Sequence, residues 1–391
     1  MKFMSFSNMR QIAFFLILIP ALYAESSPTA LATYQKNPTL ENLGHAFAEG
    51  MNNQDSNALW QIIDLDGMLD RIFELTGNQE AFASFRVGLK QGIKNRLFEN
   101  WFVNINQNRG EVKYRRIIKV AGEPRPFVII DIYDEGLMFL ELVVDPKTNK
   151  IVDMFIYSNG EFISQTYAQI ASLSRPESSN YFKRLVGKLE VNHELGAVMK
   201  QVATHNQTGN YEASYKAVIQ LPEALARTRV ISLMRVNLAG LWSEPHYDKE
   251  LARLAQLHGD DPTLFFMLLD HYFNVKDFEH LLSGIERVRQ RVGKDTYIDE
   301  LSGVYLTYAG EYDKALENLN SVIASNPDDE DIYWFKVETL ILAERYQAAL
   351  GVVDVLEEKF AVTIDPELMA EHERYRDFLA SKEFKGWRSK L

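Results

Sequence analysis

Apolar and small side chains recur at a fixed interval in the second half of this 391-residue sequence. Tyr312 and Tyr346 stand 34 residues apart, the same interval separates Ala315 from Ala349, and Phe278 precedes Tyr312 by as much. Within each interval the apolar positions follow the three- and four-residue steps of a helix. This period indicates stacked pairs of antiparallel helices, because one pair alone cannot bury its apolar face.

One stretch carries a motif with defined spacing. Gly303-Val304-Tyr305-Leu306 is followed by Gly310-Glu311-Tyr312-Asp313-Lys314-Ala315 and then by Asn326-Pro327. This order resembles the tetratricopeptide repeat, in which small residues stand where the two helices of a unit cross closely. Asp299 and Ser302 depart from the pattern, since large apolar residues are usual at those positions.

The resemblance implies an all-α, tetratricopeptide-like superhelical solenoid over residues 192–361, with about five helical hairpins. Residues 362–391 would then form a C-terminal capping helix with a polar outer face. In this family the first helix of each hairpin lines a concave surface, which implies a groove for a protein or peptide partner with basic and apolar side chains. The predicted groove residues are Phe266, Asp270, Phe273, Asn274, Tyr297, Glu300, Tyr308, Trp334 and Glu338.

Residues 39–174 have a different pattern. Apolar residues follow helical spacing as far as about Val103, and beyond Val112 they alternate with polar residues at a period of two. Turn-forming clusters separate the four predicted strands, which are Val112–Val120, Phe127–Tyr133, Leu137–Val144 and Ile151–Tyr157. Helices followed by such strands predict an α+β domain, with helices packed on a four-stranded antiparallel sheet. The order resembles cystatin-like folds, including the nuclear-transport-factor-like superfamily, which implies a curved sheet around a long helix.

Alternation along these strands places acidic and phenolic side chains on one face of the sheet, namely Asp131, Tyr133, Glu141, Asp153 and Tyr157. Two interpretations are open. Paired carboxylates in an apolar pocket can have raised pKa values and act as acid and base, which suggests a small-molecule-binding or hydrolytic domain. Alternatively, this face points to water or to the solenoid, because the opposite face is fully apolar and forms the core.

The N-terminus predicts export to the periplasm or the cell exterior. Lys2 and Arg10 precede a short apolar run from Ile12 to Ile19, and the first 24 residues end at Ala24. This is the order of a secretory signal peptide, and the run is shorter than the roughly 20 residues that span a bilayer. Residues 25–38 predict a linker, and residues 175–191 a second linker.

Composition excludes several classes of function. The chain has no cysteine, so disulfides, thiolate metal sites and a cysteine nucleophile are excluded. The net charge of -12 and the lack of a long basic run argue against a nucleic-acid partner. The eight histidines show no metal-ligand spacing, and no phosphate loop, dinucleotide fingerprint or serine-hydrolase elbow is present. The sequence therefore predicts an exported, non-catalytic scaffold without cofactor or metal, with the small-molecule-binding or hydrolytic first domain as the alternative.

Overall fold

The structure is a computed structural model that describes residues 29–77, 79–107, 110–132, 136–174, 193–362 and 364–389. The chain divides into two compact units, of which the first ends at His271 and the second begins at Tyr272. The predicted signal peptide and the predicted linker at residues 175–191 lie outside the described residues.

In the described part of the first unit, helices come before the sheet. They are Thr29–Lys36 (α1), Leu40–Asn52 (α2), Ser56–Ile62 (α3), Leu65–Thr76 (α4), Gln79–Arg96 (α5) and Glu99–Gln107 (α6). Short polar side chains begin several of them: Thr39 caps α2, and Asp64 caps α4 by accepting the Gly67 N–H. Helix α1 corrects the predicted linker at residues 25–38. Leu31 and Tyr34 are one helical turn apart, and both are buried in the core of this unit.

The sheet is antiparallel and its strands follow chain order. They are Glu111–Val120 (β1), Glu123–Ile132 (β2), Gly136–Val144 (β3), Ile151–Ile156 (β4) and Glu161–Phe162 (β5), followed by the helix Ile163–Ser174 (α7). The sheet therefore has five strands where the sequence predicted four. Gly160 adopts a φ of 66°, which lets the chain reverse, and Glu161 then pairs with Ile156 before the helix begins.

Helices cover one face of this sheet. Helix α2 packs on β1 and β2, while α4 and α7 pack on β4. The strand residues in this core are Val128, Ile130, Ile132, Met138, Leu140, Leu142, Ile151, Met154 and Ile156. An irregularity in the β3–β4 pairing places Ile151, and not its neighbour Val152, in this core. Each such side chain contributes about 1.5–3 kcal/mol when it is buried.

The described residues from His193 to Phe360 fold as five helix pairs that follow one another along the chain. The pairs are His193–Gln207 with Tyr211–Val218 (α8, α9), Arg229–Trp242 with Glu244–His258 (α11, α12), Phe265–Asn274 with Phe278–Val292 (α13, α14), Thr296–Tyr308 with Tyr312–Ser325 (α15, α16), and Glu330–Leu342 with Tyr346–Phe360 (α17, α18). The short helix Glu223–Ala226 (α10) lies between the first two pairs. The first two pairs belong to the first unit and the last two to the second.

Small residues allow close crossing within the pairs. A Cβ atom added to Gly303 would lie 3.0 Å from Cγ of Leu319, and Ala315 is fully buried. The two departures from the repeat pattern each have a polar partner. Asp299 accepts a hydrogen bond from Nη2 of Arg289 at 3.0 Å, and Oγ of Ser302 accepts one from Asn318 at 3.1 Å. These contacts make polar residues acceptable at positions that are otherwise apolar.

The C-terminal segment is not the single capping helix that the sequence predicted. It consists of Pro366–Ala370 (α19), a 3₁₀ turn at Glu373–Tyr375, Arg376–Ala380 (α20) and Lys382–Arg388 (α21). Ser381 is extended, which ends α20, and its hydroxyl accepts the Phe384 N–H that begins α21. The segment still covers the last helix pair, because Tyr375, Phe378 and Phe384 are buried in the same apolar cluster as α18.

Candidate functional site

Residues from three successive helix pairs meet on one side of the second unit. The ring centroid of Phe273, on α13, lies 5.4 Å from that of Tyr308, on α15, with the rings at 88°. The hydroxyl of Tyr308 donates a hydrogen bond to Oε1 of Glu338, on α17, at 3.0 Å. All three residues belong to the predicted groove set, and each lies on the first helix of its pair. The structure thus brings this part of the set together.

A fourth residue, Arg374, joins these three from the C-terminal segment. Its Nη1 lies 2.8 Å from Oε1 of Glu338 and 3.3 Å from the hydroxyl oxygen of Tyr308. Its guanidinium carbon lies 5.0 Å from the ring centroid of Tyr375. We call Phe273, Tyr308, Glu338 and Arg374 the groove line. The sequence did not reveal Arg374, because the segment that carries it departs from the repeat pattern.

The groove line is a half-buried cluster with one carboxylate and one cation. Burial raises the pKa of Glu338, and the opposing effects of Arg374, of the Tyr308 hydrogen bond and of His372 are smaller. Burial, followed by the charge of Glu338, raises the pKa of Tyr308, so its phenol stays protonated and remains a donor. A carboxylate and a phenol oxygen that converge on one nitrogen can bind a guanidinium group.

The other predicted groove residues in the second unit lie outside this cluster. Asn274 is exposed, while Tyr297 and Glu300 are half-buried on α15. Trp334 is half-buried, packs on the apolar cluster of the last pair and donates from Nε1 to Glu330 at 3.0 Å. Asp270 is also half-buried, and it belongs to the first unit.

Phe266 does not line a groove, which corrects the prediction made for it. Its ring centroid lies 5.0 Å from that of Phe139, on β3, and 5.6 Å from that of Tyr157, directly after β4. These two rings lie on the face of the sheet that α2, α4 and α7 do not cover, which we call the second face. All three residues belong to the first unit, and Phe266 is only 6% exposed. The helical pattern assigned Phe266 to the first helix of its pair, but it contained no information about this contact with the sheet.

The second face of the sheet is therefore buried, and its carboxylates have internal partners. Glu141 is fully buried; it accepts hydrogen bonds from Nη1 of Arg125 at 2.9 Å and from the Tyr157 hydroxyl at 2.6 Å. Phe127 and Phe155 are its cross-strand neighbours. Of the two expectations for this face, water or the solenoid, Glu141 does not agree with the first, because aromatic side chains cover it, and the Phe266 contact agrees with the second.

Asp153 is also fully buried, and separate groups neutralise it. Nε of Arg71 donates to Oδ2 of Asp153 at 2.9 Å, and the Ser164 hydroxyl donates to the same oxygen at 2.5 Å. The backbone N–H groups of Met154 and Ser164 donate to Oδ1 at 3.0 and 3.1 Å. With an arginine and three further donors, this carboxylate links β4 to α4 and α7.

The strand register keeps the third predicted carboxylate, Asp131, away from Glu141. Asp131 pairs across the sheet with Leu137, whereas Glu141 pairs with Phe127, four residues earlier on the same strand. At about 3.3 Å per residue, that separation is roughly 13 Å. Asp131 instead lies 3.4 Å from Nζ of Lys113, and Tyr133 lies outside the described residues.

Two further polar clusters in the first unit were not predicted. Arg229 donates to Glu161 at 3.1 Å and to Asp261 at 3.0 Å, which connects the end of the sheet to the helical array. Arg235 makes two hydrogen bonds to Glu250, at 2.7 and 2.8 Å, and both residues are buried. Periodicity could not indicate either cluster, because charged residues on helices are usually solvated.

The described residues show neither a metal site nor a membrane-spanning helix. Among them, no cluster of three or more histidine and carboxylate side chains is placed to hold a metal ion. No helix within those same ranges combines the length and the apolar character that crossing a membrane requires. His280 stacks on Tyr272 with the ring centroids 5.4 Å apart, and its Nδ1 lies 2.8 Å from Asp277.

Comparison with known proteins identifies no family for this chain. No known protein family and no curated protein matches the sequence. A solved structure titled "MamA AMB-1 P212121" matches with a TM-score of 0.32 and 14% sequence identity, over 44% of this chain and 95% of that chain. At this TM-score the similarity carries no argument about fold or function. The function of this chain is therefore inferred from its own residue contacts.

Proposed function

We propose that this protein is an exported, non-catalytic scaffold, and that it binds a protein or peptide partner through the first-helix face of its C-terminal helix pairs. The observation that carries the proposal is the groove line. Phe273, Tyr308 and Glu338 come from three successive pairs and form one continuous set of contacts. Repeated helix pairs present such extended surfaces, and binding is their usual use.

The chemistry of this face favours a partner with basic and apolar side chains. Glu300, Asp331 and Glu338 supply acidic groups on the first helices of the last two pairs, and Phe273 and Tyr297 are half-buried aromatic residues beside them. The net charge of -12 adds a long-range attraction for a basic partner. Half-buried aromatic residues are the usual anchors of protein interfaces.

The alternative function, a small-molecule-binding or hydrolytic first domain with the array as an accessory, has weaker support. Glu141 is paired with Arg125 and Tyr157, and Asp153 with Arg71 and Ser164. A general acid or base needs a route to substrate. The aromatic residues that cover Glu141 and the four donors that bind Asp153 stabilise the fold, and they leave neither carboxylate open to a substrate.

Affinity capture from the native compartment tests the scaffold proposal. The full chain should retain a partner that Phe273→Ala or Tyr297→Ala releases. A matched control is Val355→Ser, because Val355 is an exposed apolar residue on α18, the second helix of its pair. Equal retention by all three variants would exclude the first-helix face. Mass spectrometry of the mature N-terminus tests export, and a chain that keeps residues 1–24 would contradict it.

A further inference from the structure

Tyr308 and Glu338 form a site that already holds a guanidinium group. The group belongs to Arg374, which is 36 residues from Glu338 and 66 residues from Tyr308 along the chain. Oε1 of Glu338 lies 2.8 Å from Nη1, and the Tyr308 hydroxyl lies 3.3 Å from the same nitrogen. We call Tyr308 and Glu338 the guanidinium site. It lies on the first-helix face, where the partner is proposed to bind.

Arg374 fills this site incompletely. Its Nε is buried and has no hydrogen-bond acceptor among the described residues. A buried donor without an acceptor weakens the bound state, because the donor has lost its hydration without replacement. The ion pair with Glu338 is made through Nη1, whereas an arginine presented in a suitable direction can make two parallel bonds to a carboxylate.

The Arg374 side chain can also leave without unfolding its segment. Its side chain is 28% exposed, so the guanidinium group has a path to solvent. The backbone of the segment has its own anchors: Tyr375, whose ring lies 5.0 Å from the guanidinium carbon, and Phe378 are 2% and 1% exposed and hold the segment in the apolar cluster of the last pair. Rotation about the bonds of one long side chain is therefore sufficient to open the site.

We propose that the guanidinium site recognises an arginine of the partner, and that Arg374 is an internal occupant which this arginine displaces. The inference rests on the proposed scaffold function and names the chemistry of its ligand. The partner's arginine pairs with Glu338 and Tyr308, and an adjacent apolar side chain packs on Phe273. Lysine is a poorer ligand, because an ammonium group lacks the planar array of donors that reaches both oxygens.

The test uses a fluorescein-labelled basic peptide, Lys-Ala-Arg-Tyr-Ala-Lys, and the same peptide with lysine in place of arginine. Binding to the full chain is measured by fluorescence anisotropy at fixed ionic strength. Arg374→Ala empties the site, so it should bind the arginine peptide about tenfold more tightly than the unchanged chain, which is about 1.4 kcal/mol. The lysine peptide should gain less than about twofold.

Two variants serve as controls. Arg376→Ala removes a neighbouring arginine whose side chain is 70% exposed and pairs with Glu373 at 3.5 Å, away from the guanidinium site, so it should leave peptide affinity unchanged. Glu338→Gln combined with Arg374→Ala should abolish the gain, because the carboxylate is then missing. Arg374→Gln, which keeps a long side chain but removes the charge, supplies a second opened site if Arg374→Ala proves to be unfolded by circular dichroism.

The outcomes separate this inference from the scaffold function. Equal affinity of Arg374→Ala and the unchanged chain for the arginine peptide, or an equal gain for both peptides, would overturn the inference. If the native partner is still released by Phe273→Ala, the scaffold function survives that result. If instead the peptide behaves as expected while no native partner depends on the first-helix face, the guanidinium site is real and the scaffold function fails.

Discussion

The buried ion pair of Glu141 and Arg125 predicts a large loss of stability when either partner is removed. Side-chain exposure is 0% for Glu141 and 10% for Arg125, and Nη1 of Arg125 lies 2.9 Å from the Glu141 carboxylate. Breaking a buried pair by removing one partner costs about 3–5 kcal/mol, because the remaining charge stays buried without compensation. Glu141→Leu should therefore lower the free energy of unfolding by this amount.

Arg125 keeps a second partner, but that contact is weak. Nη2 of Arg125 lies 3.2 Å from Glu123, whose side chain is 70% exposed. An exposed pair of this kind contributes about 0–1 kcal/mol, so it cannot replace Glu141. Glu123→Ala is accordingly the matched control, with an expected cost of about 0–1 kcal/mol.

The double variant gives the decisive measurement. Arg125→Met alone should cost about 3–5 kcal/mol, whereas Glu141→Leu with Arg125→Met removes both charges and should cost far less than the sum. Urea unfolding of the full chain, followed by tryptophan fluorescence, yields each free energy. Additive costs, with a coupling below about 0.5 kcal/mol, would refute the reasoning that the two side chains neutralise each other.

Three further predictions follow from other sites. Glu250→Ala should cost about 3–5 kcal/mol in the same assay, because it leaves Arg235 buried without its carboxylate; a cost under about 1 kcal/mol would contradict this. Gly303→Leu should lower the midpoint of thermal unfolding, because even a Cβ atom would lie 3.0 Å from Leu319, and overpacking costs about 1–3 kcal/mol. Carbon-13 NMR should place the titration midpoint of Glu338 above that of an ordinary glutamate, since burial raises its pKa. The stabilisation that Glu338 contributes is then fully present at pH values below its pKa in the unfolded chain, and it is lost as the pH rises through its pKa in the folded protein. A titration midpoint below that of an ordinary glutamate would contradict this prediction and reverse the pH dependence.

The sequence by itself determined the elements that depend on local pattern. The 34-residue period predicted helix pairs, and the structure has five of them between His193 and Phe360 in its described part. Alternation located four strands to within a few residues, and the apolar face of those strands is the core. These features are readable because each depends on one repeated interval, 3.6 residues for a helix and two for a strand.

Tertiary structure alone decided which side chains meet. Phe266 has the pattern of a first-helix residue, yet it packs on Phe139 in the sheet and on Tyr157 directly after β4, which are 127 and 109 residues away along the chain. Glu141 and Arg374 likewise have partners that no local interval indicates. Periodicity predicts that a face of a helix or strand is buried, but it does not predict which residues pack against that face. The choice of partner depends on contacts between distant parts of the chain, and these form only when the whole unit is packed.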